Sequence, residues 1–140
     1  MSRPAAYVIK TAIADGAAPA FEFARQRTMY GGKAIAAGDT VFLFDSENQG
    51  GRGLVARGIV TAAVPVPRRA GVARQTPLVD VTVGGIVPAR RPLGRGLLKP
   101  FADWGDGRPE TELNFKFYRQ ATDKIGGISP AAAAYLDGFF

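Results

Sequence analysis

Two absences set the chemistry open to this sequence. It contains no cysteine and no histidine, which removes thiol nucleophiles, disulfides, imidazole general bases and the common zinc sites. No metal or cofactor site is expected, and no catalytic group is assigned. What remains is lysine, arginine, tyrosine, serine, threonine and the carboxylates. The net charge is +6, and residues 64–100 carry six Arg and one Lys against the single Asp80, which equals the whole excess. Clustered Arg on a small domain points to a phosphate-bearing partner. Arg68-Arg69 and Arg90-Arg91 are the candidate backbone clamps, giving affinity without sequence information. Trp104 lies in a polar, turn-rich stretch where an indole can stack on a base, worth about 1–3 kcal/mol. Lys116, Tyr118 and Arg119 form a second polar group. Gly94-Arg95-Gly96 has the look of a phosphate loop, but no Lys-Ser or Lys-Thr follows it, which excludes a nucleoside triphosphate site.

These groups need elements to hold them. The clearest is a hairpin within residues 38–63. The apolar run Val41-Phe42-Leu43-Phe44 is followed by the polar Asp45-Ser46-Glu47-Asn48-Gln49-Gly50-Gly51. The chain then resumes with Leu54-Val55-Ala56-Arg57-Gly58-Ile59-Val60. Ahead of it, Ala6-Tyr7-Val8-Ile9-Lys10-Thr11 is a β-type run with continuous apolar residues, as suits a strand covered on both faces. Residues 19–37 carry an uneven helical pattern: Phe21, Ala24 and Thr28 share a face, and Gly31-Gly32 interrupts it. After the hairpin, Pro65 and Pro67 end the strand or confine it to an edge. Leu78-Val79-Asp80-Val81-Thr82-Val83 alternates as a half-buried strand, with the three valines on one side. Residues 90–100 fit one helical turn in a basic loop. Residues 113–119 alternate again, which predicts a strand with Phe115 and Phe117 inward and Lys116 and Tyr118 outward. Ser129-Pro130 starts a final helix as N-cap and first helical residue, and Gly138 ends it.

The chain is 46% hydrophobic and 21% charged, ordinary for a globular protein and enough for one domain over residues 1–140. No apolar run is long enough to span a bilayer, and the amino terminus lacks a signal-peptide pattern. No membrane association is expected, and the expected location is cytoplasmic. Five or six strands with short peripheral helices predict a mainly β, α+β fold in the form of a small, partly closed barrel.

Tyr7-Val8-Ile9-Lys10-Thr11 resembles the opening strand of the PUA-like superfamily, especially its EVE and YTH branches, which begin with an aromatic, two apolar residues, Lys and a small hydroxyl residue. The stretch from Gly38-Asp39 through the Ser46-bearing loop to Gly53-Leu54-Val55-Ala56-Arg57-Gly58 is similar to the central hairpin of that family. Tyr118-Arg119-Gln120 is similar to a late strand of EVE domains. The likeness covers the first half of the chain well, and the second half agrees in element order. It implies a single PUA-like domain of EVE type that binds DNA or RNA. A modified or extruded base would sit in a pocket between the first strand and the hairpin. By position, Lys10 and Thr11 would line its floor, and Ser46 and Asn48 its mouth. YTH relatives hold methyladenine in a tryptophan cage, whereas the stretch after the first strand here offers only Phe21, Phe23 and Tyr30. That departure counts against methyladenine and leaves a base such as methylcytosine open.

The expected function is a non-enzymatic nucleic-acid binding module, its nucleic acid carrying a methylated base, with an effector protein encoded nearby as a further expected partner. Two rivals accompany it. The related ASCH branch includes ribonucleases, for which Lys10, Tyr118 and Arg119 would be the metal-independent group. The third class is a small-molecule or protein-interaction domain on the same barrel.

Overall fold

The computed structural model describes residues 4–13, 18–47, 50–67, 69–71, 76–119 and 124–140, with only the backbone of Arg119. Six strands close into a barrel: β1 (Ala6–Thr11), β2 (Phe21–Met29), β3 (Thr40–Asp45), β4 (Gly53–Pro65), β5 (Leu78–Pro88) and β6 (Lys124–Ile128), in the order β1-β3-β4-β5-β2-β6. The β1–β3 and β2–β6 pairs are parallel and the others antiparallel. The ring is closed, where the sequence predicted partial closure; closure gives every strand a neighbour on both sides over part of its length. Three short helices, α1 (Arg95–Leu98), α2 (Pro109–Asn114) and α3 (Pro130–Asp137), pack on one side. Among the described residues, no helix is long and apolar enough to cross a membrane.

The unbroken apolar runs of β1 and β3 are covered on both faces, as expected. Tyr7, Ile9, Val41 and Leu43 fill the barrel interior, while Val8, Phe42 and Phe44 point outward under the helices. The two layers meet in β4 because of a bulge: Leu43 pairs with Ala56 but Phe44 with Leu54, leaving Val55 as the extra residue. The skipped residue lets Leu54 join the helix-side core and Ala56 the interior. In β5, Val79, Val81 and Val83 are buried and Asp80 exposed, as the alternation required. The loop after β5 is stitched to the hairpin where Leu54 donates its amide to the Leu93 carbonyl at 2.9 Å. Gly53 permits that approach: its φ is 83°, and a Cβ there would lie 2.3 Å from the Leu93 oxygen.

Two segments differ from the sequence reading. Residues 21–29 form β2 instead of a helix. A bulge between Phe23 and Gln26, with Arg25 at φ 52°, breaks the alternation and moves Thr28 onto a spacing that mimics a helical face. The chain then makes a single 3-10 turn at Gly32–Ala34. Residues 113–119 are the end of α2 and a π-helical turn, Phe115–Arg119, not a strand. Leu113 and Phe117 stand four residues apart on one buried face, whereas Phe115 turns away to meet Trp104. The sixth strand, β6, was not foreseen; its two glycines hid it. The helix over 130–137 follows expectation: the Ser129 side chain accepts the Ala132 amide, and Pro130 is the first helical residue.

The helical assignment separates two aromatics that a strand would treat alike. Phe117, fully buried and stacked on Phe44 at 4.8 Å between centroids, should lose about 3–5 kcal/mol of unfolding free energy on change to alanine. Phe115→Ala should cost less than half as much. Urea denaturation of both variants measures the difference, and equal losses would contradict the helix.

Candidate functional site

β1 and β3 run parallel and finish together, and β6 starts beside the end of β1, so Thr11, Asp45 and Lys124 mark one end of the barrel. The candidate site occupies that end, beneath the π-helical turn. Lys10 pairs with Lys124 across β1 and β6, and the two are 2% and 0% exposed. Cross-strand partners put their side chains on the same face. Removing a lysine ammonium from water is costly unless hydrogen bonds replace the solvent. Lys10 Nζ donates to the Phe117 carbonyl at 2.7 Å and lies 4.7 Å from the centroid of the Tyr118 ring.

Tyr118 is held from above as well as below. Its hydroxyl donates a short hydrogen bond to the Glu47 carboxylate, which also accepts the Arg95 amide at 3.1 Å. Burial pushes the Tyr118 phenol well above its ordinary range; the hydrogen bond to Glu47 and the charge on that carboxylate add to the effect, and Arg95 only partly opposes it. Tyr118 is therefore a protonated donor throughout the neutral range. Next to Glu47, Ser46 is fully buried, and its amide donates to the Thr11 carbonyl at 2.9 Å. That bond clips the hairpin to the end of β1. The Ser46 hydroxyl has no hydrogen-bond partner among the described residues.

On the other side of the turn, Lys116 Nζ donates to the Gly127 carbonyl at 2.7 Å and to Glu112 at 3.0 Å, and it stands 5.1 Å from the Tyr30 ring. Glu112 also receives the Ser129 amide at 2.9 Å and a short bond from the Ser129 hydroxyl. Trp104 is 46% exposed, packs edge-on to Phe115 at 5.4 Å, and lines a cleft of about 240 Å³ with Phe115, Lys116 and Arg108.

The sequence-predicted residues thus divide. Lys10, Thr11, Ser46 and Tyr118 converge at one end of the barrel. Lys116 and Trp104 share the neighbouring cleft. Arg90 and Arg91 lie apart, against the end of α3: the Arg90 amide donates to the Phe139 carbonyl at 2.7 Å, and the Arg91 guanidinium donates to the Gly138 carbonyl at 2.5 Å and covers the Phe139 ring. Arg69 is exposed beyond the far end of β4. Asn48, Arg68 and the Arg119 side chain lie outside the described residues. Glu47, Glu112 and Lys124 were missed. Glu47 sits inside the polar hairpin loop the sequence marked, but nothing local couples it to Tyr118, 71 residues away.

No protein-family model matches the sequence, and no curated protein matches it. Among solved structures, the chain is similar to the DUF55 domain of human thymocyte nuclear protein 1, with a TM-score of 0.64 and 14% identity over 94% of this chain and 95% of that one. The fold is a PUA-like α+β barrel. At that identity the likeness concerns architecture alone. It covers the PUA-like barrel from end to end, including the carboxy-terminal half, where the sequence had offered only an order of elements.

Glu112 gives this side of the PUA-like barrel a pH dependence. Burial resists its ionisation, but the hydrogen bonds from Ser129 and Lys116 outweigh that and hold its pKa below the usual 4.5. The unfolded chain then binds this proton more tightly, so the stabilisation is complete above about pH 4.5 and is lost as pH falls through the lower folded value. Glu112→Gln should cost about 1–3 kcal/mol at neutral pH and flatten the loss of stability in that acid window. Thermal melts across a pH series check both.

Proposed function

We propose that this barrel is a non-catalytic nucleic-acid binding module that accepts an extruded or modified base between β1 and the β3–β4 hairpin. The observation that carries the reading is the Ser46 hydroxyl: fully buried, without a partner among the described residues, and located where the hairpin joins β1. A buried hydroxyl left unpaired costs about 1–3 kcal/mol, and a base edge is a ligand that can pair with it. Tyr118 supports the reading as a flat ring at the same end of the barrel, fixed by Lys10 beneath and Glu47 at its hydroxyl. Extruded bases are read through such combinations of stacking and edge hydrogen bonds. The excess of Arg between residues 64 and 100 would attract the phosphate backbone. The Trp104 cleft would take a flanking base. A methylated base, and an effector partner acting on what is bound, belong to the same proposal.

Lys10 is engaged with a backbone carbonyl, which favours binding over cleavage. The test is a panel of single- and double-stranded DNA and RNA oligonucleotides with and without common base methylations. Wild-type protein should prefer one modified base. Ser46→Ala removes an unpaired hydroxyl, so it should leave folding stability unchanged or slightly raised while weakening that preference by about tenfold. Uniform affinity for all members, or cleavage of the oligonucleotide, would sink the proposal.

A further inference from the structure

A second cavity lies at the other end of the barrel. β4 pairs with the start of β3 at Thr40 and Ile59 and then continues alone with β5 to Pro65, so its last residues extend past the end at which β1 and β3 begin. There, the close of β4, the start of β5 and the β2 bulge enclose about 330 Å³. This is near the lower end of the roughly 300–1,000 Å³ typical of small-ligand pockets. Arg25, Lys33 and Arg69 line it, its walls include Pro65, Pro67 and Pro77, and no carboxylate is among the described lining residues.

The walls are pinned. The Thr28 hydroxyl donates to the Pro77 carbonyl at 2.8 Å, and the Val66 amide donates to the Leu78 carbonyl at 2.9 Å. Arg25 reaches the cavity from the β2 bulge at φ 52°, a left-handed conformation that a branched-chain-free but bulky residue adopts only when its surroundings enforce it. Its amide is held by Asp80 Oδ1 at 2.7 Å. Bulges at barrel rims re-aim side chains, and here the re-aimed side chain is a guanidinium joining two other cations. Rigid proline and aliphatic surface suits a flat ring. Three lining cations set against the one Asp80 carboxylate at the Arg25 amide suit a group near two negative charges, which a phosphomonoester carries and an internal phosphodiester does not.

We propose that this cavity binds a nucleotide bearing a terminal 5′-phosphomonoester, with the base and sugar against the proline walls and the phosphate among Arg25, Lys33 and Arg69. The site is separate from the proposed β1–hairpin site and stands whether or not a base binds there. The same chemistry has two sources, a free nucleoside monophosphate or the 5′-phosphorylated end of a strand.

The test titrates the full chain at low salt with adenosine and uridine 5′-monophosphates, the matching nucleosides, inorganic phosphate, and short oligonucleotides with and without a 5′-phosphate. Calorimetry gives affinities and amide NMR gives location. The monophosphates should bind saturably, with nucleosides and inorganic phosphate weaker by about tenfold or more, and shifts should centre on Val66, Leu78 and Val79. Arg25→Gly keeps the left-handed backbone while removing the guanidinium, and Lys33→Ala changes an exposed side chain. Each should reduce affinity about tenfold without lowering the melting midpoint. Ser46→Ala should leave this binding unchanged. Tighter binding of the 5′-phosphorylated oligonucleotide than of the monophosphate assigns the strand end as ligand; the reverse assigns the free nucleotide. Absence of saturable binding, equal affinity for inorganic phosphate, or indifference to both substitutions would overturn the proposal.

Discussion

The hydrogen bond from Lys10 to the Phe117 carbonyl joins the two halves of this molecule. A lysine that is 2% exposed carries a desolvation cost of several kcal/mol unless its donors are satisfied. The end of a helical segment supplies the acceptor, because its last carbonyls have no partner within the helix and carry partial negative charge. The α2 helix and its π-helical turn are thereby fixed over the end of β1, and Tyr118 is brought above the lysine. Had the lysine been apolar, Phe117 could still pack on Phe44, but its carbonyl would be buried without this donor and the turn would lose its registration on the barrel.

Two carboxylates extend the same logic. Glu47 ties the hairpin to both the Tyr118 hydroxyl and the loop at Arg95, while Glu112 ties α2 to the cap of α3 and to Lys116. Each gathers donors from more than one segment, and a carboxylate can do so because it offers two oxygens with several acceptor directions. The consequence is a helical layer held to the barrel by polar contacts around an apolar centre. Among the described residues, three buried hydroxyls are without a partner, those of Tyr7, Tyr30 and Ser46, and of these only Ser46 lies in the hairpin loop beside Glu47.

The basic character that dominates the sequence is also divided by the fold. Arg57 pairs with Asp137 at 2.7 Å, and Arg91 closes the carbonyl end of α3. These cations hold the last helix in place. Arg25, Lys33 and Arg69, drawn from three separate stretches, meet instead around one cavity. A run of arginines along the chain is therefore not a single surface. Part of it supports the last helix, and the cluster around the cavity includes two cations, Arg25 and Lys33, from outside the basic stretch.

Much of the fold was legible in the chain because some signals are local. The unbroken apolar runs of β1 and β3 announced strands covered on both sides, the alternation at Val79, Val81 and Val83 announced a one-sided strand, and Ser129-Pro130 announced a helix start. Each depends on residues within a few positions of one another. At the site, the sequence marked the ends of β1 and β3, and it placed Lys10, Ser46 and Tyr118 among the residues of interest. Only the tertiary structure could decide the rest. β2 looked helical because a bulge at Ala24 and Arg25 shifts its phase, and the bulge exists to fit β5. β6 was invisible because Gly127 is needed by a close neighbour, the Tyr30 carbonyl, that would lie 2.4 Å from a Cβ there, and such crowding leaves no periodic trace. Residues 113–119 alternate like a strand, yet Leu113 and Phe117 share the face that the barrel buries, and the Lys10 ammonium favours the carbonyl end of a helix over a sheet ladder. Pairings such as Tyr118 with Glu47 join positions far apart in the chain, so local residue types determined which side chains were available, and closure of the barrel determined which of them meet.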